Sequence, residues 1–222
     1  MKSLKVLNQG IKLIESMYAS QLDGVRHLAM HTRRLQASAQ KLGFEVNLAE
    51  VVKRLHHECG ALPSGVAYRL RLTLAMDGEF EITHAPLAPI GRDVVDVLLS
   101  NQHGFESMQS DDELLRHKTT RREAYDRAWQ QAERQGAFDM LFFNDRGELT
   151  EGGRSNVFLK IDGLWYTPPL SSGLLPGVMR AVLLGDPEWN AAERVILESD
   201  LMRADALIVC NALRGVLSAR VA

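Results

Sequence analysis

The sequence predicts an α/β or α+β protein of two layers, with an N-terminal domain over residues 1–110 and a C-terminal domain over 111–222. Three observations lead there. Strand-like and helix-like periodicities occur in both halves of the chain. Residues 86–117 interrupt that patterning with Pro86, Pro89, Gly91 and the acidic run Asp111, Asp112, Glu113, broken only by a short Val-Val-Asp-Val-Leu-Leu strand. The domain boundary is placed within them. From Met140 onward, short apolar runs alternate with tight turns at Asp145-Arg146-Gly147 and Asp162-Gly163.

The elements follow in order. Residues 11–18 alternate as a strand does. Residues 25–42 read as a helix, because Leu28, Leu35, Ala39 and Leu42 recur at helical spacing and Gly43 supplies a stop. Residues 47–59 form a second amphipathic helix opened by Asn47 as a cap. Residues 67–76 and 79–84 are a strand pair about Asp77-Gly78. Residues 120–135 return to a helical pattern ended by Gly136. Strands follow at 140–143, 157–159 and 164–166. Residues 175–184 start a helix with Pro176 in its first turn, and 206–210 are a buried-type strand.

The bulk numbers exclude several classes. With 45% apolar and 24% charged residues the composition is that of an ordinary globular protein. A net charge of −2 gives no electrostatic ground for a nucleic acid or an anionic membrane as partner. The 26 lysines and arginines still leave room for a local basic pocket. Cys59 and Cys210 lie far apart in no metal-like spacing, so reduced thiols are expected. Residues 1–14 have no leader-like apolar core, and no run approaches the ~18 apolar residues of a membrane span, so a cytoplasmic location is expected.

Six places are candidates for chemistry. Lys118 is one of seven lysines and sits in His117-Lys118-Thr119-Thr120. It reads either as a solvated helix-start lysine or as a Schiff-base amine, which needs a partly desolvated setting. Lys160, just before Asp162-Gly163, reads as a solvated rim charge. Glu151 precedes Gly152-Gly153 and is either a surface charge or the partner of a buried cation such as a protonated pyridine nitrogen. Residues 173–181 are a glycine-flanked helix entry, either an anion site or an ordinary helix start. In His31-Thr32-Arg33-Arg34-Leu35 the adjacent arginines diverge by about 100°, so only one can face a pocket, while His31 joins the apolar face. His56 and His57 diverge likewise, and His56 and Cys59 find no further ligand, so no metal is expected.

Taken together these segments resemble the class-IV, fold-type IV pyridoxal-phosphate enzymes, over nearly the whole chain and in matching order. His31-Thr-Arg-Arg34-Leu35 is similar to the family's His-x-x-Arg-Leu helix, and Glu151-Gly-Gly-Arg-Ser-Asn156-Val-Phe to its glutamate-to-Asn-Phe motif. Lys118 falls where the family has its cofactor-bearing lysine, 33 residues before Glu151. Thr167-Pro168-Pro169 and residues 175–180 resemble its phosphate cup. The resemblance implies a small N-terminal α/β domain, a larger β-rich C-terminal domain, bound pyridoxal 5'-phosphate, a small amino substrate and a homodimer. It implies that Lys118 and Glu151 act in catalysis, and the place of Thr119 and Thr120 beside Lys118 makes one of them, with Thr120 preferred, the expected proton donor to the leaving group. Arg34, Lys118, Glu151, Asn156, Val178, Met179, Asn211 and Ala212 would hold the cofactor.

Within the group, His117-Lys-Thr-Thr-Arg-Arg and Cys210-Asn211-Ala212-Leu213-Arg214-Gly215 are most similar to aminodeoxychorismate lyase. That resemblance implies conversion of aminodeoxychorismate to p-aminobenzoate and pyruvate, a step of folate biosynthesis. A branched-chain or D-amino-acid aminotransferase and a non-catalytic dimeric module of the same fold are the alternatives. The family's opening β-hairpin is largely missing before residue 11, and 86–117 is short, so altered substrate contacts from the small domain are expected.

Overall fold

The computed structural model describes residues 10–222. The chain forms two compact units. One runs through Ile90 and also takes in His117–Arg121; the other holds Gly91–Arg116 and Arg122–Ala222. The expected boundary lay between 110 and 111. The division falls at Ile90/Gly91 because the next strand, Val94–Leu99, pairs with strands of the second unit.

The first unit contains β1 (Leu13–Ser20), β2 (Gly24–Val25), helices α1 (Leu28–Leu42) and α2 (Leu48–Gly60), β3 (Tyr68–Leu74) and β4 (Phe80–Pro86). Its sheet runs β2-β1-β3-β4, every pair antiparallel, with Leu13 opposite Leu74. β1 starts two residues later than the 11–18 expected. α1 starts at Leu28 rather than at 25, because Gly24–Val25 pairs with β1 and His27 takes a left-handed φ of 58°. Its buried residues His31, Leu35, Ser38, Ala39 and Leu42 follow the helical period. Gly43, at φ 78°, ends it by returning its amide to the Ala39 carbonyl. Asn47 caps α2 by accepting from the Glu50 amide at 3.2 Å, a contact worth about 1 kcal/mol. The turn at Asp77-Gly78 joins β3 to β4 as expected.

The second unit contains β5 (Val94–Leu99), α3 (Glu123–Arg134), β6 (Asp139–Phe143), β7 (Leu149–Gly152), β8 (Asn156–Ile161), β9 (Leu164–Thr167), α4 (Val178–Gly185), β10 (Ala191–Glu193), α5 (Glu198–Leu201), β11 (Ala206–Asn211) and β12 (Gly215–Val221). Its sheet order is β10-β9-β8-β11-β12-β5-β6-β7. The β12–β5 and β5–β6 pairs are parallel, and β6–β7 and β8–β11 antiparallel. Every residue of β6 and β7 is buried. α3 lays Tyr125, Ala128 and Ala132 against Met140 and Phe142 of β6, and α4 lays Leu183 against Phe158, Ile208 and Cys210. Burying a side chain the size of Phe142 contributes about 1.5–3 kcal/mol.

Three expectations change here. Residues 120–122 are not helical, and α3 begins at Glu123. Residues 175–177 are not helical either. Pro176 precedes the N-cap Gly177 instead of occupying the first turn. Lys160 lies within β8, half-buried, with its ammonium 6.0 Å from the Trp165 ring centre. Among the described residues no helix is long and apolar enough to cross a membrane.

Candidate active site

In the first unit the expected phosphate-binding arginine is built from β1 and α1. Glu15 sits on β1 between Ile14 and Ser16 and is only 2% exposed. Arg34 grips it side-on, Nε donating to Oε1 at 2.9 Å and Nη2 to Oε2 at 2.6 Å. His31, one helical turn earlier, places Nδ1 2.6 Å from the same Oε2. Burial raises the Glu15 carboxyl, but attraction from Arg34 and hydrogen bonds from His31 and Arg34 outweigh it and hold it at about 2. Arg33 is exposed, so the two arginines diverge as the helical period requires. Glu15 has a signature in the sequence: it shares the inward phase of the strand with Leu13 and Met17, where a carboxylate needs a partner.

Lys118 is not at a helix start. Residues 118–120 run extended beside β1: the Lys118 carbonyl accepts from Ile14 N at 2.8 Å, and Thr120 N donates to the Lys12 carbonyl at 2.9 Å. Leu13 and Thr119 form an antiparallel bridge there. Thr120 Oγ1 accepts from Lys12 N at 2.9 Å, which fixes the hydroxyl oxygen. His117 Nδ1 lies 2.9 Å from Ser38 Oγ of α1. The Lys118 side chain is half-buried.

In the second unit Glu151, next to last in β7, is a buried carboxylate, not a surface charge. Oε1 accepts from Tyr125 Oη at 3.0 Å and from Leu175 N at 3.1 Å, and Oε2 from Asn156 Nδ2 at 3.3 Å. Asn156 Nδ2 also donates to the Leu175 carbonyl at 3.1 Å. Asn156 Oδ1 then fills the space beside Gly177, where a Cβ would lie 1.8 Å from it. Asn156 thus ties Glu151 to the start of α4.

Two further features hold this region. Asp139, fully buried, accepts from Ser155 Oγ at 2.6 Å and from the amides of Arg154 and Met140 at 2.9 Å each. It fixes the turn after Gly152 and Gly153; Gly152 has no room for a side chain against it, and at Gly153 a Cβ would press on the Tyr125 carbonyl and on Asp139. Burial pushes its carboxyl up, against those hydrogen bonds. Asn211 donates Nδ2 to the Arg154 carbonyl at 3.0 Å and accepts at Oδ1 from the amides of Leu213 and Arg214. Its side chain is spent on building that turn. Tyr125 and Asp139 escaped the sequence reading, although a lone acid opening an apolar run and a tyrosine in phase with Ala128 and Ala132 were both visible.

α4 starts at Val178 with no side-chain cap, and Ala181 N makes a helical bond to the Gly177 carbonyl. Helix geometry leaves the earlier amides, at Val178 and Met179, without intrahelical partners, an arrangement suited to an anion.

The sequence profile of amino-transferase class IV matches residues 12–221. The chain belongs to this family. Class-IV enzymes are pyridoxal-phosphate dependent, and this chain is such an enzyme. One class-IV relative, a Schizosaccharomyces pombe protein provisionally described as an aminodeoxychorismate lyase, is 27% identical over 85% of this chain and 81% of its own length. A Mesorhizobium loti structure, provisionally described as an amino-acid aminotransferase, is 35% identical, with a TM-score of 0.86 over 96% of this chain and 100% of that one. A hypothetical aminotransferase of Mycobacterium tuberculosis, solved in its PLP-bound form, shares the fold at 19% identity, with a TM-score of 0.83 over 95% of this chain and 81% of that one.

The class-IV residues present fit the cofactor. A pyridinium needs a buried anion, and Glu151 is a buried carboxylate held by three donors. A phosphate needs converging N–H groups, and the uncapped start of α4 presents them.

Proposed function

We propose that this class-IV enzyme is an aminodeoxychorismate lyase, releasing p-aminobenzoate and pyruvate. The likeness to the S. pombe relative along most of both chains carries the reading, and the segments 117–122 and 210–215 support it. In this reading Arg34, the amides of Val178 and Met179 and the Asn211–Ala212 turn bind the phosphate, and Glu151, steadied by Asn156, partners the ring nitrogen. When bound, pyridoxal phosphate supplies an electron sink for a carbanion. Lys118 would hold the cofactor through its aldehyde, and its amine, once freed by the substrate's amine, would serve as the base at the substrate's amine-bearing carbon. Thr120, its oxygen anchored to Lys12, gives a proton to the departing enolpyruvyl group. The reading includes a homodimer in the cytoplasm, and light scattering checks the dimer.

Incubation with aminodeoxychorismate tests the activity: p-aminobenzoate and pyruvate are expected in equal amounts. Amine transfer to a 2-oxo acid, with no p-aminobenzoate, overturns it. That outcome is the second reading, favoured by the likeness to the M. loti protein. Borohydride reduction should attach the cofactor to a peptide containing Lys118. An adduct retained by Lys118→Ala would refute that lysine's role.

A further inference from the structure

Tyr125 lies on the face of α3 that carries Ala128 and Ala132, and its ring meets Phe142 edge-on at 4.9 Å between centroids. That packing needs an aromatic ring and no hydroxyl; phenylalanine would fill the same place. The hydroxyl is nevertheless buried and donates to Glu151 Oε1. The Leu175 amide converges on the same oxygen, while Asn156 holds Oε2. The terminal torsion of a glutamate is broad and weakly restrained on its own. Two donors on one oxygen and a third on the other fix the carboxylate plane. Burial, reinforced by the Glu151 charge, pushes the phenol well above its ordinary range, so it stays a donor.

We infer that Tyr125 is a positioning residue for Glu151, holding the carboxylate in the orientation in which it meets the cofactor's protonated ring nitrogen. The inference rests on the reading of Glu151 as that nitrogen's partner. Tyr125 touches neither cofactor nor substrate in this role and acts only through the carboxylate.

A double-mutant cycle tests it, with pyridoxal phosphate titrated into the unliganded protein and affinity measured by equilibrium dialysis. Tyr125→Phe is expected to weaken binding about tenfold, the scale of a hydrogen bond to a charged group, with a melting temperature close to the parent's. Glu151→Gln is expected to weaken binding more. In the Glu151→Gln background, adding Tyr125→Phe should change affinity by less than about twofold, because the group it orients is no longer a carboxylate. A merely structural tyrosine would give independent, multiplying effects, and that result overturns the inference. Native affinity in Tyr125→Phe overturns it too, as does a collapse of the unliganded melting temperature, which would assign the hydroxyl to the fold. Should Glu151→Gln bind the cofactor like the parent, the reading of Glu151 falls and the inference falls with it. Weak binding by Glu151→Gln beside native binding by Tyr125→Phe removes the inference alone.

Discussion

Replacing Glu15 by glutamine keeps the side-chain volume and removes one charge from the His31–Glu15–Arg34 group. Holding that carboxyl at about 2 rather than 4.5 is worth roughly 3 kcal/mol, at ~1.4 kcal/mol per tenfold. Burial works against the depression, so the figure is what remains after desolvation. At neutral pH, Glu15→Gln should therefore melt roughly 6–12 °C below the parent, at about 2–4 °C per kcal/mol for a chain of this size. A depressed carboxyl stabilises fully above its unfolded value and loses that contribution as pH falls toward its folded value. The gap between the two proteins should accordingly hold from pH 7 down to about 4.5 and then close by ~1.4 kcal/mol per pH unit. Differential scanning calorimetry of the two unliganded proteins across that range measures it. A gap that is small at pH 7, or one that does not narrow below about 4.5, would show that the ion pair contributes no net stability and would refute the argument.

Three further outcomes follow from the same geometry. Gly177→Ala sets a Cβ 1.8 Å from Asn156 Oδ1, so Asn156 must leave and cofactor affinity should fall at least about tenfold; unchanged affinity in a dialysis titration would contradict this. Asp139→Asn turns an NH2 group toward donors that need an acceptor and should cost about 1–3 kcal/mol in the unfolding free energy measured by urea titration, whereas a neutral effect would mean the turn after Gly153 holds itself. Cys59 and Cys210 are both buried, and burial pushes the Cys210 thiol up to about 12, so Ellman's reagent should titrate neither in the native protein and both in denaturant; rapid native labelling would contradict their burial.

The first unit was readable where local chemistry and packing agree. α1 and α2 carry apolar residues at helical spacing, and Gly43 and Asn47 act as a stop and a cap through their own backbone and side chain. The strand pair about Asp77-Gly78 was readable for the same reason. The start of α1 was not, because residues 24–25 are taken by pairing with β1, a contact between segments that no window of sequence contains. β12 escaped because its buried and exposed positions do not alternate. Lys118 looked like the first turn of a helix for a similar reason. Its segment is held extended by the bond from Ile14 N to the Lys118 carbonyl and by the bond from Thr120 N to the Lys12 carbonyl, more than a hundred residues earlier.

The candidate site shows the same physics in reverse. Residues 175–177 have helix-compatible composition, and Pro176 is well suited to a first turn. They stay outside the helix because the Leu175 amide is bound by Glu151 and its carbonyl by Asn156, while Gly177 lies against the Asn156 amide oxygen. Had the helix begun at 175, the Leu175 carbonyl would have accepted from the amide at 179, and Asn156 would have lost that acceptor. Starting at Val178 instead leaves the Leu175 carbonyl to Asn156 and the amides at Val178 and Met179 for an anion. The bonds that defeat local prediction at this point are therefore the bonds that join the carboxylate to the helix start. That is why composition alone reads an ordinary helix entry here, and why Asn156 and Gly177 must be tested together with Glu151.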